Sequence, residues 1–153
     1  MSRILLIGCG KEKAISPQAA EDLYTGGLFR ARRAYAEATG LPWRVLSARY
    51  GVVRPDVVLH PYNLTIGDLN WIDRGAWGLG VVAAILDEID NAARPREVVL
   101  EVHAGEDYVE AFREIALQVG LCVDTPVKGL SIGAQRKWYS ETLKGARAGL
   151  VRS

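Results

Sequence analysis

The sequence predicts an α/β fold, a three-layer sandwich of helices around a central, mainly parallel sheet of about four strands. Short apolar runs punctuated by Gly and Pro alternate with longer segments of helical periodicity. Strands that alternate with helices pair in parallel, and their crossovers cover both faces of the sheet. In addition, the first three runs each open into a polar loop. Right-handed crossovers bring such loops to one edge, where open α/β sheets bind ligands.

Arg3–Ile7 is a buried strand closed by Gly8-Cys9-Gly10. Glu21 to Thr39 reads as a helix, with Leu23, Leu28, Phe29, Ala31, Ala34, Tyr35 and Ala38 as an inward stripe and Gly40 as its stop. Trp43–Ser47 is the second strand. A long polar excursion follows, and then a helix within Asn70–Ala93 that sets Ile85, Leu86 and Ile89 on one face. Glu97–Val102 is the third strand, Asp107–Val119 a helix, and Leu121–Val123 a short fourth strand. Ile132–Lys144 closes the fold as a helix. The expected organisation is one domain over residues 1–144 and a tail over 145–153.

The 153 residues are 49% hydrophobic and 24% charged, ordinary for a globular domain. Lys and Arg total 19 against 18 Asp and Glu, so nucleic acid would have to be held by a local patch. Cys9 and Cys122 make neither a disulfide framework nor a zinc pattern, and His60 and His103 lack partners in a ligand pattern. No metal or cofactor is expected. The start is too short and too quickly polar for a signal peptide, and no apolar run reaches a membrane span of about 18 residues. A cytoplasmic protein is expected.

The three loops supply the candidate site. In "GCGKEKA" the glycines free backbone N–H groups to face an anion, and Lys11 or Lys13 can neutralise a phosphate; the alternative is a solvated turn. Cys9 and Gly10 belong to that loop, Cys9 reading more readily as a small strand-end residue than as a nucleophile. The excursion "LSARYGVVRPDVVLHPYNL" carries Ser47, Tyr50, Asp56, Tyr62 and Asn63, with enough valines to pack down. Its tyrosines and amide suit a pocket that stacks and hydrogen-bonds a planar base, unless the rings merely cap the core. "HAGEDY" adds His103, Glu106, Asp107 and Tyr108, its acids being equally suited to capping a helix. Gln135 lies in a glycine-flanked segment that can close over the pocket. Arg30 and Arg33, one helical turn apart, and Arg136, Lys137 and Trp138 form either a solvated face or a nucleic-acid backbone contact.

The excursion resembles the signature of the YaaA-like family, and "CGKEK", "DLYTGGLF", "GEDYVEAFR" and "GLSIGAQRKWY" resemble a small-protein branch related to it. The resemblance runs from about Ile4 to Trp138. It implies a uracil-DNA-glycosylase-like fold and an association with DNA or modified nucleobases. The family's arginine after Pro-Tyr is Asn63 here, and an amide suits a base edge where a guanidinium suits phosphate. The expected function is therefore an N-glycosidase acting on a nucleobase, in DNA or modified, with Asp56 and Glu106 as catalytic candidates. The alternatives are a non-catalytic nucleic-acid or nucleotide-binding module and a hydrolase of free nucleotides.

Overall fold

A computed structural model of the chain describes residues 2–89 and 93–152. Strand β1 (Ser2–Gly8) is followed by a two-residue strand β2 (Gln18–Ala19) and a single helical turn α1 (Ala20–Leu23). Helix α2 (Gly27–Thr39), strand β3 (Trp43–Ser47) and two short strands β4 (Gly51–Val53) and β5 (Val58–Leu59) come next. Helix α3 (Trp71–Glu88), strand β6 (Val98–His103), helix α4 (Glu106–Gln118), strand β7 (Cys122–Asp124) and helix α5 (Ile132–Arg152) complete the order.

The central sheet has five strands in the order β4-β3-β1-β6-β7. The inner pairings are parallel, and β4 alone runs antiparallel, against β3. The sheet is therefore mixed. Its extra strand comes from the excursion after β3, which turns back on itself at Gly51. That residue holds φ at +72°, a left-handed conformation favourable to glycine. Val52 and Val53 then alternate along β4, and only Val53 is fully covered.

Alternation along β1 feeds two cores. Ile4 and Leu6 face Val81, Val82 and Ile85 of α3 and Val109, Phe112 and Ala116 of α4. Leu5 and Ile7 face the opposite layer, with Phe29 and Ala36 of α2. Gly78 lets α3 and α4 touch: a Cβ there would occupy the space of the Ala111 carbonyl oxygen.

Several boundaries differ from those expected. The helix expected from Glu21 is broken after Leu23, and α2 restarts at Gly27 behind Gly26. Its buried positions are Phe29, Arg32 and Ala36, a spacing of three and four, whereas Ala34 and Ala38 face solvent. Helix α3, by contrast, falls within the expected Asn70–Ala93: it starts one residue after Asn70, whose side chain caps it by accepting from the Asp73 N–H at 2.8 Å, and ends at Glu88. Helix α5 stays regular past Lys144 to Arg152, where Ala146, Ala148 and Leu150 favour helix over a tail; Ser153 lies outside the described residues. No helix among the described residues is long and apolar enough to cross a membrane.

Candidate functional site

Register places the loops together. Gly8 lies opposite Leu46, and Ile7 lies opposite His103, so β1, β3 and β6 end level with one another. The chain goes to one side of β1 to form β3 and crosses to the other side for β6. The crevice between the β1 and β6 ends is thus a topological switch point, where open α/β sheets hold ligands.

A knot of hydroxyls occupies the β1–β3 side. The Tyr62 hydroxyl lies 2.7 Å from both the Ser47 Oγ and the Tyr24 hydroxyl. Ser47, wholly buried, also accepts from the Tyr50 backbone N–H at 3.1 Å. Above this knot the Lys13 Nζ sits 4.5 Å from the Tyr62 ring centre, a cation–π contact, and donates to the Lys11 carbonyl at 3.0 Å. Burial lowers the Lys13 ammonium, and the nearby Cys9 opposes that shift. Burial likewise raises the Tyr62 and Tyr108 phenols, and raises Tyr24 to about 12, so these groups act as neutral hydroxyls. The Cys9 Sγ bridges to the β6 side, 3.5 Å from the Tyr108 hydroxyl.

Beneath the β6 end lies a second network. The wholly buried His103 joins the Glu101 Oε2 through Nε2 at 2.7 Å and the Tyr139 hydroxyl through Nδ1 at 2.8 Å. Glu101 also accepts from Tyr35 and from Arg3, each at 2.7 Å. Burial pushes the Glu101 carboxyl up, but His103, Tyr35 and Arg3 together outweigh it and hold the group at about 2. Tyr139 lies beside the Arg32 guanidinium, which donates to the Gly8 carbonyl and to the Gln135 Oε1, each at 3.3 Å.

Cys9, Lys13, Ser47, Tyr62 and Tyr108 are therefore together: hydroxyls join Ser47 to Tyr62, Lys13 lies over the Tyr62 ring, and Cys9 reaches Tyr108. Glu106 opens α4 and lines a separate open cleft of about 460 Å³ with Ala104, Gly105, Lys128, Ser131 and Gln135. Gly10 lies in the first loop, against Phe29, and Lys11 is exposed there. Tyr50 is 38% exposed and packs edge-on to Tyr62. Asn63 is exposed further along the same segment.

Asp56 is elsewhere. Because β4 runs antiparallel, the chain descends from the site, and Asp56 reaches the opposite end of β3 beside Trp43 and Arg44. Its carboxylate is exposed and lies 3.9 Å from Arg54. His103 is also not a ligand-facing group, since both ring nitrogens are engaged in the interior.

Of the basic residues, Arg33 is engaged within the chain, while Arg30, Arg136 and Lys137 are exposed. Arg33 pairs with Asp22 and Glu37, at 2.8 and 2.7 Å, and Lys137 lies near Glu141. Arg136 packs over Gly27, while Arg30 is exposed. Trp138 is half-buried and packed against Tyr35, Tyr139 and His103. Sequence reasoning passed over Arg32, Tyr24, Glu101 and Tyr139. The signal for Arg32 was its place between Phe29 and Ala36, which puts it on the inward stripe of α2. Tyr24, Glu101 and Tyr139 carried no comparable mark.

Comparison with known proteins finds two likenesses. The Uncharacterized protein YfjM of Bacillus subtilis (strain 168) is 38% identical over 74 residues, covering 44% of this chain and 49% of that relative. The chain thus matches about half the length of the curated relative. A family model matches residues 4–141, which include every strand-end loop of the site. On that match the chain belongs to the Family of unknown function (DUF6884).

Proposed function

We propose that the protein binds a nucleotide unit, in DNA or free, at the C-terminal edge of its sheet and hydrolyses the N-glycosidic bond, with Glu106 as the working carboxylate. The observation that carries this reading is the position of Glu106. It lines an open cleft at the C-terminal end of β6, between the start of α4 and the segment joining β7 to α5. Breaking an N-glycosidic bond builds positive charge on the sugar, which a nearby carboxylate stabilises, and the same group can accept a proton from the attacking water. Tyr50 supplies an exposed ring for the base, and Lys13 supplies a cation at the rim. The likeness of the excursion to the YaaA-like signature supports a nucleobase ligand and a uracil-DNA-glycosylase-like form of the α/β architecture, and the quickly polar start of the chain supports a cytosolic setting.

A second reading, a binding module without chemistry, is favoured by one observation. Glu106 occupies the first turn of a 13-residue helix, where a negative charge already stabilises the helix end. The test is incubation with normal DNA, modified DNA and free nucleotides under single-turnover conditions, with mass spectrometry of released base. The wild type should release base, and Glu106→Gln should slow release by about 10²–10³-fold while leaving affinity within a few-fold, by analogy with loss of one transition-state contact. Binding by the wild type without release leaves the binding module standing.

A further inference from the structure

We propose that Arg32 forms a gated seat for one oxyanion, a phosphate or carboxylate group, with the Gln135 amide oxygen holding the place until the ligand arrives. The proposal goes beyond the reading above and does not depend on any bond being cleaved.

Arg32 is only 5% exposed, and a guanidinium keeps its charge in a protein. Buried charges are normally paired with an opposite charge. No carboxylate among the described residues pairs with this one. Its partners are neutral: the Gly8 carbonyl, the Gln135 Oε1 and the Tyr139 phenol. The bonds to Gly8 and Gln135 each measure 3.3 Å, whereas Arg3 and Arg33 meet their carboxylates at 2.7–2.9 Å in the same protein. The Arg32 Nε is buried with no partner. Burial lowers the guanidinium from its ordinary value, the mark of a charge whose lost water has not been replaced.

The seat adjoins the cleft. Gln135 and Ala104 both line it, and Lys128 adds a second cation against the single Glu106 carboxylate. Gly8 lets the end of β1, Ala104 and Arg32 pack closely together. A Cβ there would lie 2.8 Å from the Ala104 Cβ and 3.3 Å from the Arg32 Nη1. An oxyanion is a stronger acceptor than an amide, so an anion entering the cleft takes the guanidinium and releases the Gln135 oxygen.

The test titrates inorganic phosphate and, separately, acetate into the full chain. It follows the Arg32 Nε–Hε resonance, assigned by its loss in Arg32→Lys, together with the thermal unfolding midpoint. At least one anion should shift the resonance saturably, and the preferred anion identifies the ligand group. Gln135→Ala should tighten binding roughly fivefold, the worth of one neutral hydrogen bond removed from competition. Gln135→Glu should supply the missing carboxylate, raising the unfolding midpoint and abolishing anion binding. That variant keeps the proposal testable even if Arg32 variants fail to fold. A resonance unmoved by either anion, or a Gln135→Glu protein no more stable than wild type, overturns the seat. Base release with an unmoved resonance would remove the seat and leave the glycosidase. A moved resonance without base release would do the reverse.

Discussion

Glu101 is the acceptor around which the interior polar groups are ordered, and its chemistry makes a residue-scale prediction. Its folded carboxyl titrates at about 2 against an ordinary 4.5, so its stabilisation is present in full above pH 4.5. Protection falls as pH drops through that interval towards 2. The expected loss is on the order of 2 kcal/mol after allowance for screening of the partly exposed Arg3. Glu101→Gln should flatten this acid limb of a denaturant-midpoint profile and lower stability at pH 7 by about 1–3 kcal/mol, the cost of weakened hydrogen bonds to a charged group. An unchanged acid limb would show that another carboxylate sets it. Lys13 gives a second test at this scale. Lys13→Ala should weaken nucleotide binding and reduce its salt dependence, whereas Lys11→Ala should do less, because Lys11 is exposed and away from the Tyr62 ring.

At the scale of elements, the contact between α3 and α4 depends on a missing side chain. Gly78→Ala forces a Cβ into the Ala111 carbonyl, and the helices must separate. The expected cost is about 3 kcal/mol, at the upper end for overpacking. Gly75 and Gly80 lie on the same helix with open space around them. Their replacement by Ala should instead add about 0.5–1 kcal/mol each, through helix propensity. Urea unfolding of the three variants checks the contrast. A Gly78→Ala protein as stable as wild type would mean that this crossing is not close-packed.

For the molecule as a whole, the decisive feature is the direction of β4. It carries the chain away from the site after Ser47 and Gly51, and the segment through β5 brings it back at Tyr62. Asp56 lies at the far turn of that circuit. Asp56→Asn should therefore leave base release within about twofold, since a solvent-screened charge across the sheet contributes little. Glu106→Gln carries the opposite expectation. Equal losses from the two carboxylates would contradict the separation of the two sheet ends.

The alternation of strands and helices, and the meeting of three polar loops at one sheet edge, were legible in the chain because both follow from hydrophobic period and crossover handedness. So were Lys13, Ser47, Tyr62 and Tyr108 as neighbours, since each lies in or beside such a loop. The antiparallel return of β4 was not legible. Its three residues are too few to show a period, and the turn at Gly51 reads equally well inside an irregular loop. Asp56 consequently lies at the opposite sheet end from the loops that the chain alone suggests it joins. The inward arginine at position 32 was overlooked for a related reason: in "FRARRAY" three arginines look alike until the helix phase is settled by Phe29 and Ala36. The partners of Glu101 are 2, 66 and 98 residues distant in the chain, and only packing of α2, β1 and β6 could bring them to one carboxylate. Local pattern encodes which elements form and which ends they share; side-chain pairing across layers is settled by tertiary packing, because it depends on the phase and register of several elements at once.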